Sequence, residues 1–229
     1  AIKAGRDTDG RATGRPSENI VVRNCSFFSE CNGLCIGSEM SGGASRVYLE
    51  NVEIGRVKNG IYFKSNKDRG GYIRNVVVNN ITVERAKGAI LRFETNYFGY
   101  RGGNHQTIYE DFRISNVQAK DADNYAVFME GNVDKRMKNI WIDNFHVANA
   151  KHAYHLLYTE NVCFKNSSVN GEAIPETPEG HTVRIVASLS DETRTTLGQD
   201  ENGQYKCSWE KGDRIYVYEH DAPGSFTAP

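Results

Sequence analysis

The chain alternates short apolar stretches with polar corners, and one hexapeptide pattern returns six times. Each copy begins with a polar residue, alternates apolar positions and ends in asparagine. The six copies are NIVVRN (19–24), RVYLEN (46–51), NVVVNN (75–80), DFRISN (111–116), NIWIDN (139–144) and NVCFKN (161–166). β-Branched and aromatic residues dominate these copies, and no helical period is sustained over three turns, so the pattern predicts strands.

The spacing of the copies predicts how these strands are arranged. The closing asparagines are Asn24, Asn51, Asn80, Asn116, Asn144 and Asn166, separated by 27, 29, 36, 28 and 22 residues. Nine residues after the first five, further apolar stretches begin at Gly33, Gly60, Ala89, Tyr125 and Ala153. A period near 28 with two or three short strands is typical of a solenoid. We therefore expect an all-β fold, a right-handed parallel β-helix with a continuous apolar core.

The closing asparagines are interpreted as architecture. Asparagine tolerates the left-handed turn conformation, and asparagines stacked in register can bond to one another between coils. The wider interval between Asn80 and Asn116 predicts an insertion, TNYFGYRGGNHQ (95–106), as a polar and aromatic loop projecting from the stack.

The repeat stops after residue 174, which predicts a domain boundary. PETPEG (175–180) has the composition of a linker. Residues 181–229 predict a partial small β domain with three β segments, among which RIYVYE alternates most clearly, and no closing strand at GSFTAP.

Composition excludes several classes of function. The 28 basic and 29 acidic residues leave a net charge of −1, which argues against binding to nucleic acid or anionic membranes. No apolar run approaches the length of a membrane span. The five cysteines form no CxxC pair, so neither a disulfide framework nor a zinc site is expected.

Several motifs carry a resemblance to a known family. AIKAGRD, GRPSENIVVRNC, CIGSEMSGG, YFKSN, RGGYIRN and RFETNY together resemble glycoside hydrolase family 28, the polygalacturonases, and in particular its bacterial exo-acting members. The resemblance covers residues 1–174. It implies a parallel β-helix that hydrolyses α-linked galacturonic acid in pectin with inversion, using aspartates as acid and base, without metal or organic cofactor.

The departures from the family pattern lead to a second expectation. By the resemblance, the three catalytic aspartates precede AIK, so we expect them upstream of Ala1, absent from an N-terminally truncated chain. The position of the family's histidine holds Cys31 or Asn32, and neither replaces imidazole in acid–base chemistry. Of the family's Arg-Ile-Lys motif, Lys64 is kept and the arginine has become Tyr62. The chain is therefore expected to show no substantial polygalacturonase activity.

Charged and aromatic residues at the strand ends are the candidate substrate-binding residues. Strand ends stack on one face of a β-helix, and cations with tyrosines suit an acidic sugar. The alternative is an ordinary row of solvated turns, and for Glu39 a turn cap. The candidates are Lys3, Arg6, Asn32, Glu39, Lys64, Asn66, Arg69, Arg92, Glu94, Tyr97, Tyr100 and Arg101.

Two functions stay open at this stage. One is a pectin-directed glycosidase, and the other is a noncatalytic uronate-binding or structural module of a secreted protein. SLSDETRTTLG and SWEKGDRIYVYE weakly resemble fimbrillin-like surface domains, which favours a secreted, periplasmic or cell-surface location in a bacterium. An acidic polysaccharide is the expected partner. The open first coil also predicts end-to-end self-association, because unpaired strand edges are templates for pairing.

Overall fold

The structure, a computed structural model, describes residues 1–177 with their side chains and, beyond them, the backbone of five strands. The chain divides into two units, Ala1–Gly180 and His181–Pro229. No helix in the described part of the chain is long and apolar enough to cross a membrane.

The first unit contains one short helix and eleven strands in its described residues. The helix α1 is Asp7–Thr13. The strands are β1 Ser17–Phe27, β2 Asn32–Gly37, β3 Ala44–Val57, β4 Asn59–Lys64, β5 Tyr72–Ala86, β6 Ala89–Glu94, β7 Ile108–Glu130, β8 Met137–Leu157, β9 Thr159–Lys165, β10 Ser168–Val169 and β11 Glu172–Ala173.

The strands form two parallel ladders that run along the axis of one solenoid. The long strands pair in the order β1, β3, β5, β7, β8 and β9, and each pair is parallel. The short strands β2, β4 and β6 pair in the same way and join the C-terminal part of β7. Strands of successive coils are therefore partners, which confirms the predicted parallel β-helix.

The alternating apolar residues point inward and form one continuous core. Val47, Val76, Phe112 and Ile140 occupy matching positions in four successive long strands, and all four are buried. Phe112 also packs against two phenylalanines of the short strands, with ring centroids about 5.0 Å apart. Stacking of like residues at each level removes apolar surface from water along the whole axis.

The closing asparagines adopt the predicted left-handed conformation. All six have φ between 46° and 55°. Asn51 donates to Asn24 and Asn80 donates to Asn51 across neighbouring coils, at 3.2 and 2.7 Å. The ladder is not uniform, because Asn116 donates instead to the neighbouring Asn79.

A second left-handed row was missing from the sequence interpretation. The residue that opens each hexapeptide also has positive φ, between 52° and 62°. These residues are Asn19, Arg46, Asn75, Asp111, Asn139 and Asn161. Each long strand therefore turns a corner at both ends of the hexapeptide. Five of the six opening residues are asparagine or aspartate, which tolerate this conformation as the closing asparagine does, and Arg46 is the exception.

The apolar stretches begin nine residues after the first five closing asparagines, but this constant spacing does not give them a constant register with one another. Gly33 faces Gly60 as expected, but the β4–β6 pairing places Gly60 opposite Ile90 rather than Ala89. The amide of Ala89 instead bonds to the side chain of Asn59, which takes up the extra residue. A further shift after Ala122 pairs Tyr125 with His152 rather than Ala153. Local irregularities of this kind absorb one residue without disturbing the ladders.

The sequence predicted three β segments and no closing strand for the second unit, and the structure differs from this prediction. Its described strands are β12 Val183–Ile185, β13 Thr196–Gln199, β14 Tyr205–Ser208, β15 Arg214–Glu219 and β16 Ala222–Thr227. β12, β15 and β16 form one antiparallel sheet and β13 with β14 another. The expectation for GSFTAP was wrong, since most of it lies in β16. The fimbrillin-like resemblance depends on side chains that lie outside the described residues. Residues 178–180 of the expected linker also lie outside the described residues.

Candidate functional site

A polar pocket of about 560 Å³ lies over the N-terminal end of the short-strand ladder. It is formed by the N-terminal segment, the turn before β2, β2 with the corner after it, the end of β4 and the insertion loop. Seven of the candidate residues line it, namely Lys3, Arg6, Asn32, Glu39, Lys64, Arg69 and Tyr97. The other lining residues are Ala1, Ser29, Cys31, Gly33, Cys35, Gly37, Ser38, Phe98 and Gly99.

The first residues of the chain lie in the ladder as an additional rung beside β2. The amide of Ile2 donates to the carbonyl of Cys35 at 2.7 Å, and the amide of Gly37 donates to the carbonyl of Ile2 at 2.9 Å. This pairing fixes Lys3 at the rim of the pocket. Lys3 donates to Glu39 across 2.6 Å, and this hydrogen bond together with the lysine charge lowers the pKa of Glu39. Glu39 is therefore an ionised partner of Lys3.

A glycine corner places Lys64 in the pocket. Register pairs Gly37 of β2 with Lys64 of β4. Gly37 has φ of 96°, and a Cβ there would collide with the carbonyl of Lys64. Only glycine allows this close approach in that conformation. The strand end of GLCIG therefore needs its final glycine in order to lie against the lysine.

Lys64 has aromatic neighbours and no acidic partner among the described residues. Its ammonium lies 4.2 Å from the ring centroid of Tyr97 and 5.3 Å from that of Tyr62. Cation–π contacts of this kind hold a cation without neutralising its charge. Lys64 is thus the cation of the pocket best prepared to receive a carboxylate from outside.

Asp7, which the sequence analysis missed, links three segments behind the pocket. Its two carboxylate oxygens accept hydrogen bonds from Arg69 and Arg101, and Arg6 Nε lies 3.6 Å away. Burial opposes the charge on Asp7, but the hydrogen bonds and charges of Arg69 and Arg101 outweigh it and lower the pKa. Asp7 closes the AIKAGRD motif, but the motif does not indicate its partners, so only the folded contacts reveal this role.

A second acid fixes the insertion loop to the corner after β4. Asp68 accepts the amides of Gly103 and Arg101 at 2.9 and 2.8 Å. Arg11 of α1 donates to the carbonyls of Asp68 and Arg69, both at 2.7 Å. The predicted insertion is confirmed as a loop between β6 and β7, and its first half forms a wall of the pocket.

Five candidate residues lie outside the pocket lining, namely Asn66, Arg92, Glu94, Tyr100 and Arg101. Asn66 is buried and donates to the carbonyl of Tyr97 at 3.1 Å, so it supports the loop. Tyr100 is exposed and donates to the carbonyl of Gly103 at 2.8 Å. Arg101 is bound by Asp7 and Asp68.

Arg92 and Glu94 belong to a closed network next to the pocket. Glu94 is buried and accepts from Tyr62 at 2.6 Å and from Arg92 at 2.7 Å. Burial, and then the hydrogen bond to Glu94, raise the pKa of Tyr62. The tyrosine at the position of the expected family arginine is therefore neutral and has its hydrogen atom committed to Glu94.

The pocket lining contains no histidine among its described residues. At the two positions where the family resemblance expects one, Cys31 is exposed and Asn32 accepts a hydrogen bond from Asn59 at 2.9 Å. Burial raises the pKa of the nearby Cys35, which therefore remains a thiol. The residues that surround the pocket can thus bind an anion, while the lining carboxylate of Glu39, and that of Asp7 bound to the lining Arg69, are held ionised by cations.

Comparisons with known proteins bear on this arrangement. No family model matches the chain. A probable polygalacturonase of Vitis vinifera is 33% identical over 106 residues, which are 46% of this chain and 21% of the plant protein. The hyperthermoactive exopolygalacturonase of Thermotoga maritima superposes with a TM-score of 0.69 at 30% identity, over 75% of this chain and 38% of that one. The chain thus spans about a fifth to two fifths of the length of these proteins. Both comparisons confirm the resemblance drawn from the motifs, and the chain is similar in sequence and in fold to polygalacturonases of glycoside hydrolase family 28.

Proposed function

We propose that this chain forms a substrate-binding part of a pectin-directed hydrolase of the polygalacturonase type, and that its pocket binds the carboxylates of α-linked galacturonic acid. The observation that carries the proposal is the charge of the pocket. Four cations line it, namely Lys3, Arg6, Lys64 and Arg69, against the single lining carboxylate of Glu39. This excess of positive charge favours an acidic polysaccharide as the partner, as the sequence analysis expected.

The cations differ in how much charge they can offer a ligand. Lys3 is paired with Glu39, and Arg69 is paired with Asp7. The Lys64 ammonium contacts two tyrosine rings and forms no ion pair with a described residue, so its charge is the least compensated. A sugar carboxylate at this position gains a charge-assisted hydrogen bond, and Tyr97 beside it offers a ring to the sugar.

The described residues favour binding without hydrolysis. Inversion requires one carboxylic acid to protonate the leaving oxygen and a second carboxylate, some distance away, to activate water. Glu39, which lines the pocket, and Asp7, which binds the lining Arg69, are both held ionised by cations. Neither is suited to the general acid. We therefore propose that the catalytic acids of the full-length hydrolase are not among the residues described.

The alternative function is a noncatalytic uronate-binding or structural β-helix module. Both functions agree with a secreted, periplasmic or cell-surface location in a bacterium, because pectin lies outside the cell, and that location stays a proposal. A longer chain with further coils distinguishes the two functions. It hydrolyses polygalacturonate if the protein is a hydrolase, and it only binds uronates or plays a structural role if the protein is a noncatalytic module.

Two assays on the purified chain test the proposal together. Incubation with polygalacturonate should release no reducing ends above background, because general acid–base catalysis is commonly worth on the order of 10² to 10⁴ in rate for each group. Retention on immobilised polygalacturonate should be seen at 50 mM salt and lost at 1 M, where the screening length falls to about 3 Å. Cleavage at an ordinary enzymatic rate contradicts the absence of the acids, and failure to bind at low salt contradicts the cationic site.

A further inference from the structure

Arg69 is an unusual member of the pocket because it is buried and only partly satisfied. Its side chain is 7% exposed, yet it lines the pocket. One terminal nitrogen donates to Asp7. Its Nε is buried and has no hydrogen-bond partner in the structure. A buried polar group without a partner is costly and calls for an explanation.

Asp7 is the acidic partner that keeps this guanidinium in place. Asp7 is itself largely buried, because only 18% of its side chain is exposed. Breaking a buried pair by removing one partner is strongly unfavourable, because the remaining charge stays without compensation. Without Asp7, Arg69 would leave its buried position for solvent or for another acid. The location of Arg69 at the pocket thus depends on a residue that does not line it.

We infer that Asp7 is a positioning residue, which holds Arg69 at the pocket so that its guanidinium donates to a carboxylate of the bound uronate. The inference rests on the proposed function and deepens it by adding a second carboxylate contact to that of Lys64. A uronate oligomer carries one carboxylate per sugar, so two separate cationic contacts favour an oligomer over a single sugar.

The same carboxylate also connects the pocket wall to the N-terminal segment. Arg101 of the insertion loop donates to the second oxygen of Asp7. Tyr97 and Phe98 lie in the same loop and line the pocket. Asp7 therefore fixes one buried donor and one wall at once, and the loss of its charge affects both.

The binding test compares Asp7→Asn with Asp9→Asn, a matched change of an exposed residue on the same helix. For trigalacturonate, Asp7→Asn should raise Kd about tenfold, as expected for the loss of one charge-assisted hydrogen bond. Asp7→Glu should recover part of the affinity, and Asp9→Asn should leave it unchanged. In an Arg69→Gln background, Asp7→Asn should cause a clearly smaller loss than in the wild-type chain, because only its contact with Arg101 remains to be lost. An equal loss in both backgrounds would mean that Asp7 does not act through Arg69.

A second measurement tests the positioning without any ligand. The Arg69 Nε–H resonance in a ¹⁵N spectrum, assigned by its disappearance in Arg69→Gln, should shift and exchange faster with water in Asp7→Asn but not in Asp9→Asn. An unchanged resonance overturns the inference even where the wild-type chain binds trigalacturonate. A changed resonance in a chain that does not bind trigalacturonate supports the positioning by Asp7 and rejects the proposed function instead.

Discussion

At the scale of single residues, Lys64 is the clearest link between the sequence and the proposed function. The lysine was recognisable from the motif, and the structure adds the reason for its availability: its ammonium lies beside two tyrosine rings and forms no ion pair with a described residue. Its position follows from the glycine corner opposite it, where no side chain would fit.

Lys64→Ala should weaken the binding of trigalacturonate by about tenfold or more, because one charge-assisted contact is lost. Lys58→Ala is the matched control, since Lys58 is an exposed lysine near the start of the same strand and lies outside the pocket lining. Titration calorimetry measures both. Equal affinities of the two variants would show that Lys64 does not contact the ligand.

Asn51 tests the architectural interpretation of the asparagine row. Its φ is 52°, and an alanine in this conformation costs about 1–2 kcal/mol in addition to the lost side-chain bonds to Asn24 and Asn80. Asn51→Ala should lower the free energy of unfolding by about 2 kcal/mol and Asn51→Gly by about 1 kcal/mol or less, since glycine tolerates this φ. Urea titrations that place the two variants at equal stability would contradict the conformational argument.

The roles of some residues could be predicted from the sequence, and those of others could not. The asparagine row was predictable because its cause is local: a turn conformation within each hexapeptide. Asp7 was not, because its partners lie 62 and 94 positions away and no pattern along the chain reports such contacts. The same holds for Arg92 and Glu94, whose mutual pairing removes them from the pocket.

At the scale of elements, periodicity predicted the strands but not their register. The alternation of apolar residues marks a strand wherever one face is buried. One-residue shifts such as that between β4 and β6 are set by a single side chain, Asn59, and leave the alternation intact. Helix α1 was also missed, because seven residues make too few turns to show a helical period.

The short-strand ladder contributes its phenylalanines to the core, and Phe93 of β6 is fully buried between Phe63 and Phe112. Phe93→Ala should lower the free energy of unfolding by about 3–5 kcal/mol, through lost burial and the cavity left behind. Phe28→Ala is the control, because Phe28 is 80% exposed, and its effect should stay within about 0.5 kcal/mol. Similar losses for both in urea unfolding would mean that the ladder does not form this core.

At the scale of the whole molecule, the long-strand ladder of the first unit begins at an unpaired edge. β1 pairs with β3 on one side and, among the described strands, with none on the other. Its inward residues Ile20 and Val22 are only half-buried, whereas their partners Val47 and Leu49 are buried. An unpaired strand edge is a template for pairing, so we expect β1 to pair with a second copy of the chain.

We expect sedimentation velocity to show association that grows with protein concentration. Val21→Lys should suppress it, because charged residues on an edge strand oppose pairing, and Val21 is 59% exposed. Val77→Lys is the matched control, since register places Val77 in the same outward row but in an interior strand. A wild-type chain that remains monomeric at high concentration would contradict this expectation.

The central claim, a pocket that recognises uronate carboxylates, is tested most directly by comparing two ligands of the same shape. Titration calorimetry at low salt should show that trigalacturonate binds, and that fully methyl-esterified trigalacturonate binds at least tenfold more weakly, because the ester removes the charge that Lys64 and Arg69 receive. Raising the salt should narrow the difference, since exposed charges are screened. Equal binding of the acid and its ester, or no binding of either, would contradict the account.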